Sequence, residues 1–455
     1  MREGSLEAPT RHPLDWNNPD FYDMEKIDAE MRRIFDICHG CRRCFNLCDS
    51  FPRLFDLVDE SPSGELDSVD SKDFKPVVDA CTLCDLCYVN KCPYVPPHEF
   101  NLDFPHLILR YRAAERAQGK KDFIGDQLSQ TDRNGMLAGL VAPIANWATE
   151  RGNGLTRPLL EKLGDIHHDA ALPKFHGKSF TALAKSDVPA TNAAAPAAGK
   201  RRAVLYATCF VNNNNPDIGV AAQRILAHNG VELRVEYPGC CGMPRLEQGD
   251  ISDVASKARH VASALEKYVD EGWDIVALIP SCALMLKNEW PLILPDDEKV
   301  KKLAAATVDV SEYIVDIARK EGLAPGLKPL EGGVTLHLAC HARAQNIGAK
   351  AADMLRLIPD SEIGVIERCS GHGGSWGVRK EFFEVGMKVG KPVARQALKE
   401  ARAHVASECP LAALHIVQGM EREAAGKANE AGAAAPKVPP PSHPLELLAK
   451  AYGLM

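Results

Sequence analysis

Two short stretches of the sequence each contain four closely spaced cysteines. CHGCRRCFNLCD has the pattern C-x2-C-x2-C-x3-C, and CTLCDLCYVNKCP has the pattern C-x2-C-x2-C-x4-C-P. Thiolates are soft ligands that bind zinc, copper(I) and iron–sulfur clusters, so eight cysteines gathered in this way predict metal binding. They are Cys38, Cys41, Cys44, Cys48, Cys81, Cys84, Cys87 and Cys92.

The spacing favours iron–sulfur clusters over zinc. A zinc site usually combines two separate C-x2-C pairs, whereas three cysteines at two-residue intervals are typical of a [4Fe–4S] cluster. In two-cluster ferredoxins the fourth cysteine of each run ligates the other cluster. We therefore predict one [4Fe–4S] cluster on Cys38, Cys41, Cys44 and Cys92, and a second on Cys81, Cys84, Cys87 and Cys48. Asp49 stands where the first run would have proline, and the second run has one extra residue. These two departures bear on the backbone path of the loops and not on the number of ligands. Zinc stays open as the alternative metal.

Six further cysteine positions repeat along the second half of the chain. Cys209 and Cys340 each follow a predicted strand, 131 residues apart; CCG at Cys240 corresponds to CSG at Cys369, 129 residues on; Cys282 corresponds to Cys409, 127 residues on. Near-constant offsets predict a duplicated module. Adjacent cysteines such as Cys240 and Cys241 reach one site only in a tight turn, and Gly242 supplies the conformational freedom for that turn.

Composition narrows the class of protein. The chain has 455 residues, fifteen cysteines and a net charge of −7, which gives no electrostatic support for nucleic-acid binding. Because we find no export signal, clustered cysteines are expected to be metal ligands in the reducing cytoplasm rather than disulfides. The longest uncharged run, from Asn134 to Thr149, is too short to span a membrane and predicts a buried or interfacial helix.

The order of predicted elements places these cysteines in an α/β protein. Residues 1–186 are predicted to form a mainly α, ferredoxin-like domain that carries the two cysteine runs. An Ala/Pro-rich linker follows at 187–202. Alternating strands and helices then predict two α/β modules, at 203–330 and 331–424. Residues 425–455 read as a low-complexity tail with a short terminal helix that docks on the body or on a partner.

The combination of motifs resembles the CCG-domain iron–sulfur proteins. YPGCCGMPRLEQGD and CSGHGGSWG carry the resemblance most specifically, and it covers about residues 30–420. Similar layouts occur in the C subunit of anaerobic glycerol-3-phosphate dehydrogenase, the iron–sulfur subunit of glycolate oxidase and heterodisulfide reductase subunits. The resemblance implies an electron-transfer component of an oxidoreductase complex, carrying electrons between a flavin dehydrogenase and a quinone or another redox acceptor.

The resemblance is incomplete at two positions. The full module of this family has a fifth cysteine, which is Ile279 in the first half and Ala406 in the second. A cubane cluster on Cys209, Cys240, Cys241 and Cys282 therefore fits the first module better than the noncubane clusters of disulfide-cleaving relatives.

The second module offers only Cys340, Cys369 and Cys409, with Ser370 where the first module has Cys241. We expect a fourth metal centre there with a non-cysteine or vacant fourth position, and His341 is the leading side-chain candidate. Two alternatives to electron transfer remain open at this stage: a stand-alone thiol or disulfide reductase, and a zinc-bound scaffold. A cytoplasmic location is expected, with peripheral contact with the inner face of the membrane left open.

Overall fold

Eight short strands form two parallel sheets in the computed structural model, which describes residues 8–432 and 434–455. The first sheet has the order β2-β1-β3-β4 and the second has the order β6-β5-β7-β8. Every pairing within them is parallel. The protein is thus a mixed α/β fold, as predicted.

The region before the first sheet is helical. Its helices are α1 (Met24–Cys41), α2 (Ser50–Asp59), α3 (Lys75–Asp79), α4 (Phe104–Ala117), α5 (Phe123–Leu128), α6 (Thr131–Leu140), α7 (Ala142–Thr149), α8 (Arg157–Gly164) and α9 (Phe180–Ser186). Asp23 caps α1 by accepting hydrogen bonds from the second and third helical amides. A cluster of buried phenylalanines fills the core, and the rings of Phe51 and Phe104 lie 4.7 Å apart.

Each sheet alternates with helices. The first contains β1 (Arg202–Tyr206), α10 (Cys209–Asn213), α11 (Pro216–His228), β2 (Glu232–Glu236), α12 (Met243–Glu247), α13 (Ile251–Asp270), β3 (Asp274–Ala277), α14 (Pro280–Leu284), α15 (Trp290–Ile293), α16 (Glu298–Ala306), β4 (Thr307–Asp309) and α17 (Val310–Lys320). The second contains β5 (Val334–His337), α18 (Cys340–Ala344), α19 (Lys350–Leu355), β6 (Ile363–Ile366), α20 (Phe383–Glu400), β7 (His404–Ser407), α21 (Pro410–Ala431), β8 (Pro441–Ser442) and α22 (Pro444–Ala451). The strands predicted near residues 203, 232 and 274 and the helices predicted between them are confirmed.

The predicted boundaries and the structure divide the chain somewhat differently. Residues 1–7 of the predicted first domain and Ala433 of the predicted tail lie outside the described residues. Helix α21 runs through the predicted boundary at 424, and β8 adds a strand to the second sheet. The terminal helix α22 is buried against α11, so its predicted docking on the body is confirmed.

A buried ion network ties the N-terminal segment to both regions. Arg11 donates to Asp85 at 2.9 Å, to Asp103 at 2.8 Å and to Glu289 at 2.9 Å. Glu289 also lies 3.1 Å from the Nε2 atom of His106. Glu289 lies between β3 and β4 of the first sheet, whereas the network's other residues precede β1. The network therefore fixes the cysteine runs against that sheet. Within the part of the chain described, no helix has the length and apolar character needed to cross a bilayer.

Candidate metal centres

The first cysteine group forms at the end of α1. Cys38 and Cys41 lie in its last turn, which Arg42 ends with a left-handed conformation (φ 53°). The chain then curls back, so that four predicted ligands line one small cavity: Cys38, Cys41, Cys44 and Cys92. The backbone amides of Tyr94 and Val95 donate to the Cys92 sulfur. Four thiols around one cavity, with amide donors at sulfur, fit the set that a [4Fe–4S] cluster requires.

The second cysteine group lies on a tightly wound loop. Leu83 and Asp85 both have positive φ values, 48° and 59°, which turn the chain on either side of Cys84. Cys48, from the first run, approaches Cys81 and Cys84 rather than its own run. Cys87 also faces Cys84 and Cys81. The structure therefore brings together Cys81, Cys84, Cys87 and Cys48, the set predicted for the second cluster.

Burial controls the protonation of these thiols. It raises the pKa of Cys81 to about 11, that of Cys92 to about 11 and that of Cys44 to about 12. A metal binds the thiolate, so loading either group would displace the protons that burial otherwise holds on sulfur.

The first module brings its four cysteines together beyond the ends of β1, β2 and β3. The Cys240 and Cys209 sulfurs are 3.7 Å apart, and Cys241 contacts both Cys240 and Cys282. Gly242 has φ +87°, the left-handed conformation that lets both neighbouring cysteines face this site. Carboxyl ends of parallel strands are where open α/β sheets hold ligands.

The pKa of Cys240 is held well below that of a free thiol. Hydrogen bonds from Cys209 and Cys241 are the main cause, and Thr131 and Gly242 add two more donors to the same sulfur. The Thr131 hydroxyl lies 3.2 Å from it and the Gly242 amide 3.4 Å. The site thus stabilises negative charge at Cys240, which is the charge that a metal-bound thiolate carries.

Helix α6 and the Cys240 turn are joined by a second contact. The Asp132 carboxylate accepts hydrogen bonds from the Tyr237 hydroxyl and from the Cys240 amide, the latter at 3.2 Å. Trp290 donates to the Cys241 carbonyl at 3.0 Å. Nothing in the sequence pattern singled out Thr131 or Asp132, because they lie more than one hundred residues from the cysteines they contact.

The second module meets the second cysteine group. The Cys340 thiol contacts both Cys369 and Cys84, and Cys48 also lies near Cys369. Because Cys84 belongs to the predicted second cluster, the two groups adjoin each other. Cys409 has different surroundings: the backbone amides of Leu411 and Ala412 donate to its sulfur, and the nearest acids are Glu408 and Glu247.

Two side chains that could supply the fourth ligand of the second module, His341 and His372, already make hydrogen bonds within the chain. His341 has Nδ1 2.8 Å from the Ser281 hydroxyl and Nε2 3.3 Å from the Leu83 carbonyl oxygen. Ligation by His341 would require one of these hydrogen bonds to break. Ser370 and His372 are both buried. The Gly374 amide donates to Nδ1 of His372, at 3.0 Å.

Arg112 connects the second cysteine group with the first module. Its guanidinium donates to the Cys81 carbonyl at 2.6 Å and to the Glu247 carbonyl at 3.0 Å. The same residues border an open, charged cavity of about 520 Å³ that also reaches Trp376 and Arg379. Burial raises the pKa of the Glu247 carboxyl to about 8.

Comparison with known proteins identifies the first α/β module. A family model described as a cysteine-rich domain, CCG, matches residues 203–287. The C subunit of anaerobic glycerol-3-phosphate dehydrogenase from Escherichia coli K12 is 29% identical over 286 residues, covering 62% of this chain and 69% of that protein. The B subunit of fumarate reductase (CoM/CoB) from Methanothermobacter marburgensis is 29% identical over 227 residues, covering 49% and 43% of the two chains.

The match to a third relative covers most of that relative's length. Lactate utilization protein A from Bacillus pumilus is 30% identical over 188 residues, covering 38% of this chain and 74% of that protein. The matched module contains the four cysteines that the structure gathers beyond the first sheet. Taken with the site's geometry, these matches show that the chain belongs to the CCG-domain iron–sulfur family.

Proposed function

We propose that this chain is the iron–sulfur electron-transfer component of an oxidoreductase complex. It would carry electrons between a flavin dehydrogenase and a quinone or another redox acceptor. The observation that carries the proposal is that three of the four cysteine groups adjoin one another. Cys44 of the first group lies near Cys84 of the second, and Cys84 contacts Cys340 of the second module. Adjoining centres are what stepwise one-electron transfer needs.

The proposal includes four metal centres, each supported by cysteines that the fold brings close together. Two [4Fe–4S] clusters belong to the N-terminal groups, one on Cys38, Cys41, Cys44 and Cys92 and one on Cys81, Cys84, Cys87 and Cys48. A third cluster belongs to Cys209, Cys240, Cys241 and Cys282. A fourth centre belongs to the second module, at Cys340 and Cys369, with Cys409 and His341 as its further candidate ligands. When bound, the clusters supply one-electron storage at potentials tuned by nearby charge and hydrogen bonds.

The protein's own part is to hold, hydrogen-bond and bury these thiolates. Thr131 and Gly242 donate to the Cys240 sulfur, and Tyr94 and Val95 donate to that of Cys92. Such donors stabilise the more negative, reduced state of a cluster and so raise its potential. The parallel strand order of the two sheets, with cysteines beyond corresponding strands, supports the proposal that the two modules arose by duplication.

The proposal is tested by counting the electrons that the purified protein accepts and then delivers. The anaerobic protein is reduced with a limiting low-potential donor and mixed rapidly with a water-soluble quinone. We expect cluster absorbance to bleach on reduction and to recover on mixing, with quinol formed in proportion to electrons stored. Disulfide-dependent recovery with release of thiols, but no reaction with quinone, would instead support a disulfide reductase. Failure of the protein to take up any electrons would reject both.

A further inference from the structure

Exposed apolar side chains are concentrated on three consecutive short helices and the segments that join them. Among the described residues, nine of the thirteen most exposed large apolar side chains fall between positions 136 and 163. Leu140 is 79% exposed, Ile144 65% and Trp147 52%. We call this the α6–α8 surface; it comprises Met136, Leu137, Leu140, Val141, Ile144, Trp147, Leu155, Leu159 and Leu163. Concentrated exposure of this kind marks an interaction site.

The large apolar side chains of helix α6 face outward, which is the reverse of a water-facing surface helix. An amphipathic surface helix normally buries its large apolar residues and exposes its polar ones. Here the inward positions are glycines: a Cβ added at Gly135 would lie 2.4 Å from the Asn213 side chain, and one at Gly139 would lie 3.2 Å from the His176 carbonyl oxygen. The close approach leaves no room inside for Met136, Leu137 or Leu140, and all three face outward. The predicted buried or interfacial helix over Asn134 to Thr149 is thus two helices with an exposed apolar face.

The charges around the α6–α8 surface have one dominant sign. In residues 129–179 the exposed lysines, arginines and acids comprise five cations and one acid, Glu150. The cations are Arg133, Arg151, Lys162, Lys174 and Lys178, of which Arg151 is ion-paired with Glu421 at 2.6 Å. The chain as a whole carries a net charge of −7, so this bias is local. Exposed leucines with a tryptophan and a cationic rim are the features of segments that lie in the headgroup region of anionic membranes.

We propose that the α6–α8 surface docks on an anionic lipid bilayer, with its apolar side chains inserted at the acyl boundary and its cations among the headgroups. Helices α6, α7 and α8 have 10, 8 and 8 residues. At 1.5 Å per residue they are about 12–15 Å long, half or less of the roughly 30 Å hydrocarbon core, so they lie along the interface. The single sign of most exposed charges in this segment favours an anionic bilayer as the partner. The docking does not depend on the proposed electron-transfer function.

The docked orientation has a consequence for the first module. Helix α6 begins at Thr131, whose hydroxyl lies 3.2 Å from the Cys240 sulfur. Leu140, at the other end of that helix, is nine residues on, or about 14 Å along the helix axis. Docking therefore brings Cys209, Cys240, Cys241 and Cys282 close to the bilayer surface. If the chain transfers electrons as proposed, this is the group from which an acceptor dissolved in the lipid would be reached.

Vesicle flotation of the purified, cluster-containing protein tests the docking. The vesicles are phosphatidylcholine with phosphatidylglycerol, or phosphatidylcholine alone. We expect the protein to float with the anionic vesicles and to be released by salt. The double variant Leu140→Glu, Ile144→Glu should lose binding by roughly tenfold or more, because two charges replace inserted apolar groups. Val188→Glu is the matched control: Val188 is 71% exposed but lies outside the surface, so binding should be unchanged.

Two further measurements keep the test decisive. Iron content and circular dichroism of the variants establish that folding and metal loading are intact. Lys174→Gln, Lys178→Gln should weaken binding to anionic vesicles and reduce its salt dependence, with the apolar residues untouched. Flotation of the double glutamate variant like the parent chain would overturn the proposal. The proposal would also be overturned if the parent chain bound no vesicles and formed a dimer that the Leu140→Glu, Ile144→Glu variant could not form. The surface would then join two copies of the chain.

Discussion

Replacing Thr131 with valine removes one hydrogen bond to the Cys240 sulfur and should lower the reduction potential of the first-module cluster. The hydroxyl lies 3.2 Å from that sulfur, and valine keeps the side-chain shape without the donor. A donor to cysteine sulfur stabilises the reduced cluster more than the oxidised one, because the reduced cluster carries more negative charge. Its loss should therefore favour the oxidised state.

The size of the shift follows from one hydrogen bond. Such a bond contributes about 1 kcal/mol net. A tenfold change in a one-electron equilibrium is about 59 mV and about 1.4 kcal/mol. If the hydrogen bond stabilises the reduced cluster by this full amount and the oxidised cluster not at all, its loss lowers the potential by about 40 mV.

Potentiometric titration monitored by electron paramagnetic resonance measures this shift cluster by cluster. Thr149→Val is the matched control, since Thr149 bonds the Ala145 carbonyl within its own helix at 2.9 Å. We expect the potential of one cluster to fall in Thr131→Val and all potentials to stay unchanged in Thr149→Val. An unchanged or higher potential in Thr131→Val, with full iron content, would refute the assignment of Cys240 as a hydrogen-bonded cluster ligand.

Four more substitutions test other parts of the account. Cys41→Ser and Cys48→Ser should each remove a different cluster, although both residues belong to the first run; loss of the same resonance signal in both would show that the crossed assignment is wrong. Cys84→Ser should perturb the signals of the second cluster and of the second-module centre together, and a change confined to one would argue against their contact. Arg11→Met should lower the free energy of unfolding by roughly 3 kcal/mol or more, because it leaves buried acids unpaired. In urea denaturation, the exposed-site control Arg133→Met should stay within about 0.5 kcal/mol of the parent chain.

Much of the first sheet could be predicted from local sequence. The strand near Ala203 is continuously apolar, as buried parallel strands are, and helix α11 ends at a glycine turn, Gly230. The tight turn at Cys240 and Cys241 was predictable because adjacent cysteines can share a site only there. These features depend on neighbours close in sequence.

Contacts between distant segments could not be predicted in this way. The approach of Cys84 to Cys340 joins loops about 250 residues apart, and no spacing rule links them. Cys409 also lies near Glu247, which belongs to a different sheet's region. The outward apolar face of α6 depends on how closely Gly135 approaches Asn213, a packing detail that hydrophobicity alone does not reveal. The repeat predicted which cysteines of the two modules correspond. It could not predict that the first module contacts helix α6 and the second contacts Cys84.

Mössbauer spectroscopy with metal and sulfide analysis of the anaerobically purified chain tests the central claim most directly. We predict iron with matching acid-labile sulfide: roughly 12 iron atoms per chain from three four-iron clusters, and additional metal from the further centre. The spectrum should change when the protein is reduced, as electron storage requires. Zinc in place of iron, with no labile sulfide and no change on reduction, would contradict the account.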